Sequence, residues 1–301
     1  MIVLPMPGCE RLGRLARELH GATGAVEVHR FPDGEARVRL TGTVEGEDVV
    51  LVGGLDRPDD KVLPLLFAAA TARDLGATSV GLVAPYLPYL RQDRRFQAGE
   101  GISARYFARL LSQAVDWLVT VDPHLHRIGT LAELFSVPAE AVHAAPLLAG
   151  WVRRHVEKPL VLGPDAESIQ WAASIAHLVD APHAVFGKRR AGDRSVEITL
   201  PDLAVHTGRR PVLVDDLVST GGTMAVAVRA LRSAGWPAPV CLAVHAIFAD
   251  GGHDAILDAG AAAIVTCNTI AHPTNGIDVQ GLLADAAARR LRAWHAPTAM
   301  A

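Results

Sequence analysis

Cysteine is scarce in this sequence. Its 301 residues include three cysteines, Cys9, Cys241 and Cys267, which lie far apart and form no CxxC pair. A disulfide framework needs several cysteines and a structural zinc site needs closely spaced ligands, so both are excluded. We expect the three thiols to be small, reduced residues of the core.

Runs of one charge and long apolar segments are also missing. Lys and Arg total 29 and Asp and Glu total 32, a formal net charge of −3, and no basic run marks a nucleic-acid surface. The N-terminus lacks the pattern of a secretion signal. Gly, Pro, His and Asn interrupt each uncharged stretch, so no membrane span is predicted. We expect a cytoplasmic protein that binds neither nucleic acid nor membrane.

What the sequence does have is an alternation of two kinds of segment. Half of its residues are hydrophobic and a fifth are charged, which is typical of a folded chain. Short β-branched runs, beginning with Val49–Gly54, alternate with helical stretches, beginning with Leu63–Leu75. This predicts an α/β fold of mostly parallel sheets flanked by helices. The later segments are SVGLVAPY, SARYFARLLSQA, WLVTVDPH, PLVLGPD, SIQWAASIAHLV, PVLVDD, GTMAVAVRALRSAG and VCLAVHAI.

The length predicts two domains, at roughly 150 residues each. Residues 138–146, PAEAVHAAP, separate one series of strands and helices from the next, and about four strands are expected on each side. An amphipathic helix is predicted over Gly281–His295 and is expected to pack back on the first half. The predicted domains are therefore residues 1–142, completed by residues 281–301, and residues 143–280.

The most informative segment is Val212–Thr223, VLVDDLVSTGGT. It reads as a strand ending in Asp215 and Asp216, then a turn that opens a helix at Met224. Ligands of open α/β sheets bind beyond the carboxyl ends of strands, and helix N-termini hold anions. The segment therefore indicates a phosphate cradle, in which two carboxylates accept sugar hydroxyls. A strand followed by an ordinary helix cap is the alternative, but capping needs neither paired acids nor two glycines. The cradle residues are Ser219, Thr220, Gly221, Gly222 and Thr223.

Other polar motifs are ambiguous when taken alone. The KRR triplet at Lys188–Arg190 is typical of a solvated turn, and FPDGE at Phe31–Glu35 favours a type I turn. In the segment Arg91–Asp93, the guanidinium suits a phosphate or a base, and the Gln and Asp side chains suit base edges. His124, beside Asp122 at a strand end, suits a metal or a hydrogen bond.

Together these segments resemble the ribose-phosphate pyrophosphokinase (PRPP synthetase) family, and VDDLVSTGGT resembles the phosphoribosyl diphosphate motif of the phosphoribosyltransferase fold. The resemblance covers nearly the whole chain in the family's order. It implies two phosphoribosyltransferase-type domains and transfer of the diphosphoryl group of ATP to the C1 hydroxyl of ribose 5-phosphate, which releases AMP. The segments are FPDGEARV, PYLPYLRQDRRFQAGEGISARYFARLL, VDPH, GPD, KRRAGDRSVEI, VDDLVSTGGT, HAIFADGGHDAILDAG and TCNTI.

The resemblance also implies roles for individual residues. Lys188 and Arg190 are the catalytic pair, on a mobile loop that closes on the transferred group. His124 and Asp165 resemble the Mg²⁺ site, and Asp215, Asp216 and the cradle bind ribose 5-phosphate. Part of the ATP site comes from a neighbouring subunit, which implies a homo-oligomer. The residues implied to bind ATP are Phe31, Asp33, Glu35, Arg91, Gln92 and Asp93.

One departure from the family pattern is Glu167, which stands in GPDAES where the family usually has Gly. A carboxylate beside a diphosphate repels it unless a metal intervenes, so this departure bears on turnover and not on the fold. Two rival functions share part of the pattern. A phosphoribosyltransferase that consumes PRPP shares VDDLVSTGGT but leaves FPDGE and RQDRRF unexplained. A weakly active regulatory protein of PRPP synthetase type fits Glu167 but leaves Lys188 and Arg190 unexplained. No Walker A motif is present, which disfavours a P-loop kinase.

Overall fold

The computed structural model describes residues 1–125, 127–190 and 196–296. Its helices are α1 (Arg14–Glu18), α2 (Asp59–Asp74), α3 (Ser103–Ala114), α4 (Ala145–His155), α5 (Ile169–Leu178), α6 (Gly222–Ser233), α7 (Gly252–Asp258) and α8 (Gln280–His295). Its strands are β1 (Ile2–Pro5), β2 (Ala22–Thr23), β3 (Ala25–Arg30), β4 (Ala36–Thr41), β5 (Asp48–Val52), β6 (Ser79–Ala84), β7 (Trp117–Val121), β8 (Ala139–Val142), β9 (Pro159–Gly163), β10 (His183–Val185), β11 (Gly187–Arg190), β12 (Val196–Thr199), β13 (Arg210–Val218), β14 (Val240–Ala246), β15 (Ala263–Cys267) and β16 (Asn275–Ile277).

The chain divides into two compact units. Unit 1 consists of Met1–Val142 with Gln280–Ala301, and unit 2 consists of His143–Val279. In unit 1, α8 contacts α1, β7 and β8, and the Arg289 and Arg290 guanidinium groups pair with the Glu140 carboxylate. That these units are the domains expected from the sequence stays a prediction.

Each unit is built on a six-stranded parallel sheet. The strand order is β2-β1-β5-β6-β7-β8 in unit 1 and β10-β9-β13-β14-β15-β16 in unit 2. The α/β fold with mostly parallel sheets is therefore confirmed. The expectation of about four strands on each side is wrong, because the short edge strands carry no continuous apolar run. Central strands such as β5 and β7 are buried almost throughout, as expected of strands covered on both faces.

The two units repeat one topology. In each, an antiparallel hairpin, β3–β4 or β11–β12, lies in the chain between the second and third strands of the sheet. The order of the sheet also reverses at the same place, between β1 and β5 in unit 1 and between β9 and β13 in unit 2. Ligands of open α/β sheets bind beside such a reversal, at the carboxyl ends of the strands.

Helix α2 begins earlier than the sequence predicts, at Asp59 and not at Leu63, and it contains Pro64. Proline has no amide hydrogen, so the Asp60 carbonyl loses its helical donor. The Arg30 guanidinium supplies a hydrogen to this carbonyl instead. The helix ends at Asp74, one residue before the predicted Leu75. Gly76 follows with a φ of 86°, and its amide donates to the Arg73 carbonyl.

Within the described residues, no helix has the length and hydrophobicity needed to span a membrane. All three cysteines are buried.

Candidate active site

Asp215 and Asp216 lie within the last part of β13, which continues to Val218. Each carboxylate accepts a hydrogen bond from the amide of the next residue: Asp216 N donates to Asp215 Oδ1 at 3.0 Å, and Leu217 N donates to Asp216 Oδ1 at 2.8 Å. Asp216 is buried. These bonds fix both side chains beside the reversal between β9 and β13.

Three carboxylates share this edge of unit 2. Burial raises the pKa of Asp215 well above its usual range, and the negative charges of Asp216 and Asp165 raise it further. A cluster of carboxylates of this kind favours either a proton or a cation. The arrangement can therefore bind a group that brings positive charge or hydroxyl donors.

The loop after β13 leads directly into α6, which begins at Gly222 and not at Met224 as the sequence predicts. Its N-cap residue is Gly221, and no side chain caps the helix. The first amides of a helix have no partner within it and carry the positive end of its dipole. Ser219, Thr220 and Thr223 add hydroxyl groups on the same segment.

The structure gives different reasons for the presence of glycine at the two positions of this loop. Gly221 has a φ of 72°, and a Cβ there would lie 2.3 Å from the Gly252 carbonyl oxygen. Residue 221 must therefore lack a side chain because it packs directly on the backbone of Gly252. The sequence did not indicate this contact. A Cβ on Gly222 would meet only Thr220 Oγ1, at 3.8 Å. Gly222 thus leaves open space beside the uncapped amides.

Asp165 follows β9 and is buried. It caps a short 3-10 turn, in which Glu167 N donates to Asp165 Oδ1 at 3.0 Å and Ser168 Oγ donates to the Asp165 carbonyl at 2.6 Å. Glu167 is exposed. The two acids thus differ in environment, and the charge of Asp165 is one of those that raise the pKa of Asp215.

In unit 1, the residues expected to bind ATP lie in two segments. Arg91 is exposed, and the Gln92 Oε1 atom accepts a hydrogen bond from the Ser103 hydroxyl. Arg127 Nη1 donates to both carboxylate oxygens of Asp93, at 3.1 and 3.2 Å. Arg127 was not found from the sequence, because it belongs to no local motif with Asp93. Ser103 lies in the same motif as Gln92, but no sequence pattern indicates that the two side chains bond.

The second segment, Phe31–Glu35, connects β3 to β4. Gly34 N donates to the Phe31 carbonyl at 2.9 Å and Glu35 N donates to Asp33 Oδ1 at 3.1 Å, so the segment forms a turn. The Phe31 ring is 40% exposed and lies edge-on to His29, with 4.8 Å between ring centroids. The segment Phe31–Glu35 can therefore form a turn and still expose the Phe31 ring for binding.

The Lys188–Arg190 motif forms a strand and not a loop. In β11, Lys188 pairs with Ile198 and Arg190 pairs with Val196 of β12. The side chains of Lys188 and Arg190 and all of residues 191–195, including Asp193 and Arg194, lie outside the described residues. Their catalytic role stays a prediction.

The two residues predicted to bind Mg²⁺ belong to different units. His124 follows β7 in unit 1 and Asp165 follows β9 in unit 2, so their pairing stays a prediction. His126 lies outside the described residues. In the described part of the chain, no three His, Cys, Asp or Glu side chains come close enough together to enclose a metal. Mg²⁺ often uses only one or two carboxylates with substrate phosphates and water, and the acidic edge at Asp165 and Asp215 offers that donor set.

The fold and this edge define a class of protein. Residues 131–280 match the phosphoribosyl transferase domain, and residues 3–114 match the N-terminal domain of ribose phosphate pyrophosphokinase. The second half of the chain thus has phosphoribosyltransferase-type architecture. The first half matches a more specific domain, that of ribose phosphate pyrophosphokinase.

Similar proteins narrow the class. A ribose-phosphate pyrophosphokinase of Methanopyrus kandleri is 38% identical over 290 residues, which cover 95% of this chain and 98% of that protein. One from Saccharolobus solfataricus is 34% identical over 251 residues, covering 81% and 84%. The crystal structure of a phosphoribosylpyrophosphate synthetase from Mycobacterium smegmatis superposes with a TM-score of 0.82 at 26% identity, covering 97% of this chain and 99% of that one. The chain belongs to the ribose-phosphate pyrophosphokinase family.

Proposed function

We propose that this enzyme transfers the diphosphoryl group of ATP to the C1 hydroxyl of ribose 5-phosphate, giving PRPP and AMP. The observation that carries the proposal is the edge of unit 2 where Asp215 and the buried Asp216 on β13 precede the uncapped N-terminus of α6. Carboxylates accept sugar hydroxyls, and helix amides bind a phosphate. Family membership supports ribose 5-phosphate as the molecule that carries both groups.

The sugar phosphate is held at both ends in this proposal. Its 5-phosphate binds the amides and hydroxyls of Ser219–Thr223 on the open side of Gly222, and its ring hydroxyls donate to Asp215 and Asp216. The raised pKa of Asp215 favours such a ligand, because hydroxyl donors reduce the repulsion between Asp215 and its acidic neighbours. Binding of the sugar thus relieves an electrostatic cost of the free enzyme.

ATP binds to the elements of unit 1. Arg91 and Gln92 present polar groups, and Asp93 lies in the same segment. The Phe31 ring, with Asp33 and Glu35 on its turn, is proposed to bind adenine in the site of a neighbouring subunit, since the exposed ring offers a stacking surface. This arrangement makes the enzyme a homo-oligomer.

In the reaction, the C1 oxygen forms a bond to the β-phosphorus of ATP, and the bond from that phosphorus to the oxygen of the α-phosphate breaks. AMP leaves with this oxygen, and the C1 hydroxyl releases its proton to water. Charge neutralisation and alignment do most of the work in such transfers. Lys188 and Arg190 supply cations for the transferred group.

Mg²⁺ is the proposed metal, and it would neutralise phosphate charge when bound. Asp165 and Asp215 fit it, because their mutual repulsion falls when a cation binds, and His124 is a further proposed ligand. The proposed compartment is the cytoplasm, where nucleotide substrates are available.

The test is an incubation of the purified protein with Mg²⁺, ATP and ribose 5-phosphate, followed by chromatography. We expect AMP and PRPP in equal amounts, with no product when Mg²⁺ is chelated. Formation of ADP in place of AMP would contradict diphosphoryl transfer. Consumption of PRPP with a free base, without synthesis of PRPP, would instead identify a phosphoribosyltransferase.

A further inference from the structure

Among the carboxylates proposed to bind ATP, Asp93 is more buried than Asp33 and Glu35, which are both exposed. Its side chain is 4% exposed, while its partner Arg127 is 44% exposed. Arg127 Nη1 lies 3.1 and 3.2 Å from the two carboxylate oxygens. A carboxylate this buried is costly unless a cation and hydrogen bonds compensate it. Arg127 therefore compensates the charge of Asp93.

Two other sets of bonds near this segment are local. The Ser103 hydroxyl reaches Gln92, 11 residues away, and Glu100 Oε2 accepts from the amides of Phe96 and Gln97, at 2.7 and 3.1 Å. Arg127 lies 34 residues from Asp93. It comes from the segment after β7, which also carries His124. One ion pair thus ties the proposed ATP segment to the segment proposed to bind the metal.

We propose that Arg127 is a positioning residue for ATP. It fixes Asp93, and with it the backbone that presents Arg91 and Gln92, and it neutralises a carboxylate that otherwise repels the triphosphate. Asp93 then acts through Arg127 and not by binding the base itself. This inference rests on the proposed function, because it needs ATP as the substrate.

Substitutions of Arg127 and of Asp93 are expected to change the affinity for ATP by different amounts. Arg127→Met leaves a buried carboxylate without its cation, whereas Asp93→Asn leaves an arginine that is already half in solvent. We expect Arg127→Met to raise the KM and Kd for ATP about tenfold or more, with a smaller change in kcat. Asp93→Asn should have a smaller effect, and the double variant should recover most of the affinity that Arg127→Met loses.

A matched control comes from the same unit. Arg73 Nη2 pairs with Asp116 at 2.8 Å, and Arg73 is 40% exposed. Arg73→Met should lower thermal stability and leave the KM for ATP unchanged. If Arg127→Met behaves like Arg73→Met, the pair is only structural and the inference is wrong. If Asp93→Asn is as severe as Arg127→Met and the double variant does not recover, Asp93 contacts ATP directly and the inference is also wrong.

Two measurements separate this inference from the proposed function. Calorimetric titration with ATP and Mg²⁺, without sugar, gives the affinity of each variant independently of turnover. Formation of AMP and PRPP by the unmodified enzyme tests the reaction. Normal products with unchanged ATP affinity in Arg127→Met would refute the role of Arg127 alone. Absence of AMP from the unmodified enzyme would refute the proposed function itself.

Discussion

At the scale of single residues, Asp215 combines a proposed binding role with a cost to stability. Burial and the charges of Asp216 and Asp165 raise its pKa in the folded protein, whereas the unfolded chain has the ordinary value of about 3.9. Below that pH the carboxyl is protonated in both states. As the pH rises toward the folded-state pKa, only the unfolded chain ionises readily, so folding loses free energy. Above the folded-state pKa the whole of this loss is present.

Asp215→Asn removes this loss. Without ligands, the variant should melt about 2 to 4 °C above the unmodified enzyme at pH 7, and the difference should disappear toward pH 4. Thermal unfolding by circular dichroism across this range measures it. Asp285, which is exposed on α8 and lies away from both helix ends, provides the control, since Asp285→Asn should leave the melting temperature unchanged. A variant that melts lower at pH 7 would mean that the carboxylate is already compensated. Calorimetry should also show that Asp215→Asn loses affinity for ribose 5-phosphate.

The proposed catalytic role of Lys188 and Arg190 also belongs to this scale, and their cations are proposed to act on the transition state. Because charge builds up on the transferred group as the reaction proceeds, Lys188→Ala or Arg190→Ala should lower kcat about 100-fold or more, with a smaller change in KM. Steady-state kinetics with each substrate varied in turn separates the two constants. A change confined to KM would assign these residues to ground-state binding.

At the scale of elements, prediction from the sequence works where one segment carries its own pattern. Helix α3 has the predicted bounds, because Ala104, Phe107, Ala108 and Leu111 recur at helical spacing on its buried face. The hairpin β3–β4 was missed, since Val26 is its one fully buried residue among those described. Paired strands that lie mostly in solvent carry no strong apolar signal.

In the candidate site, too, the parts that could be predicted are those in which one continuous segment carries the pattern. The carboxylates on β13 and the loop after them could be found from the sequence, since strand, acids and glycines are contiguous. The contacts between Asp93 and Arg127 and between Gly221 and Gly252 could not, because each joins segments that only the folded chain brings together. Sequence motifs thus indicated the candidate site, and tertiary contacts explain how its segments are held.

The loop between β13 and α6 offers a test in which two adjacent glycines give opposite results. Gly221→Ala places a side chain at a φ of 72° and 2.3 Å from the Gly252 carbonyl. We expect it to lower the free energy of unfolding by about 1 to 3 kcal/mol. Gly222→Ala meets no protein atom closer than 3.8 Å, so its stability should be kept while the affinity for ribose 5-phosphate falls. Chemical denaturation and calorimetry measure the two effects. Full affinity in Gly222→Ala would place the phosphate elsewhere.

At the scale of the whole molecule, the two units repeat one topology with different side chains. The hairpin of unit 1 carries Phe31–Glu35, and the hairpin at the same topological position in unit 2 carries Lys188 and Arg190. Unit 2 has the acidic strand end and the uncapped helix at its sheet reversal. The repeated fold therefore presents two hairpins, one proposed for adenine and one proposed for the transferred group.

The proposed role of the first hairpin predicts that each ATP site is shared between subunits. If Phe31–Glu35 of one subunit completes the site that contains Arg91–Asp93 of another, Asp33→Ala and Arg91→Ala damage opposite halves of it. Each variant alone should be nearly inactive. Mixed under conditions that allow subunits to exchange, they should regenerate sites with both halves intact, up to about a quarter of the sites for random pairing in a dimer. The activity of the mixture, compared with that of each variant incubated alone, measures this recovery. Subunits that exchange, as mass spectrometry of labelled chains would detect, but recover no activity would show that each site lies within one chain.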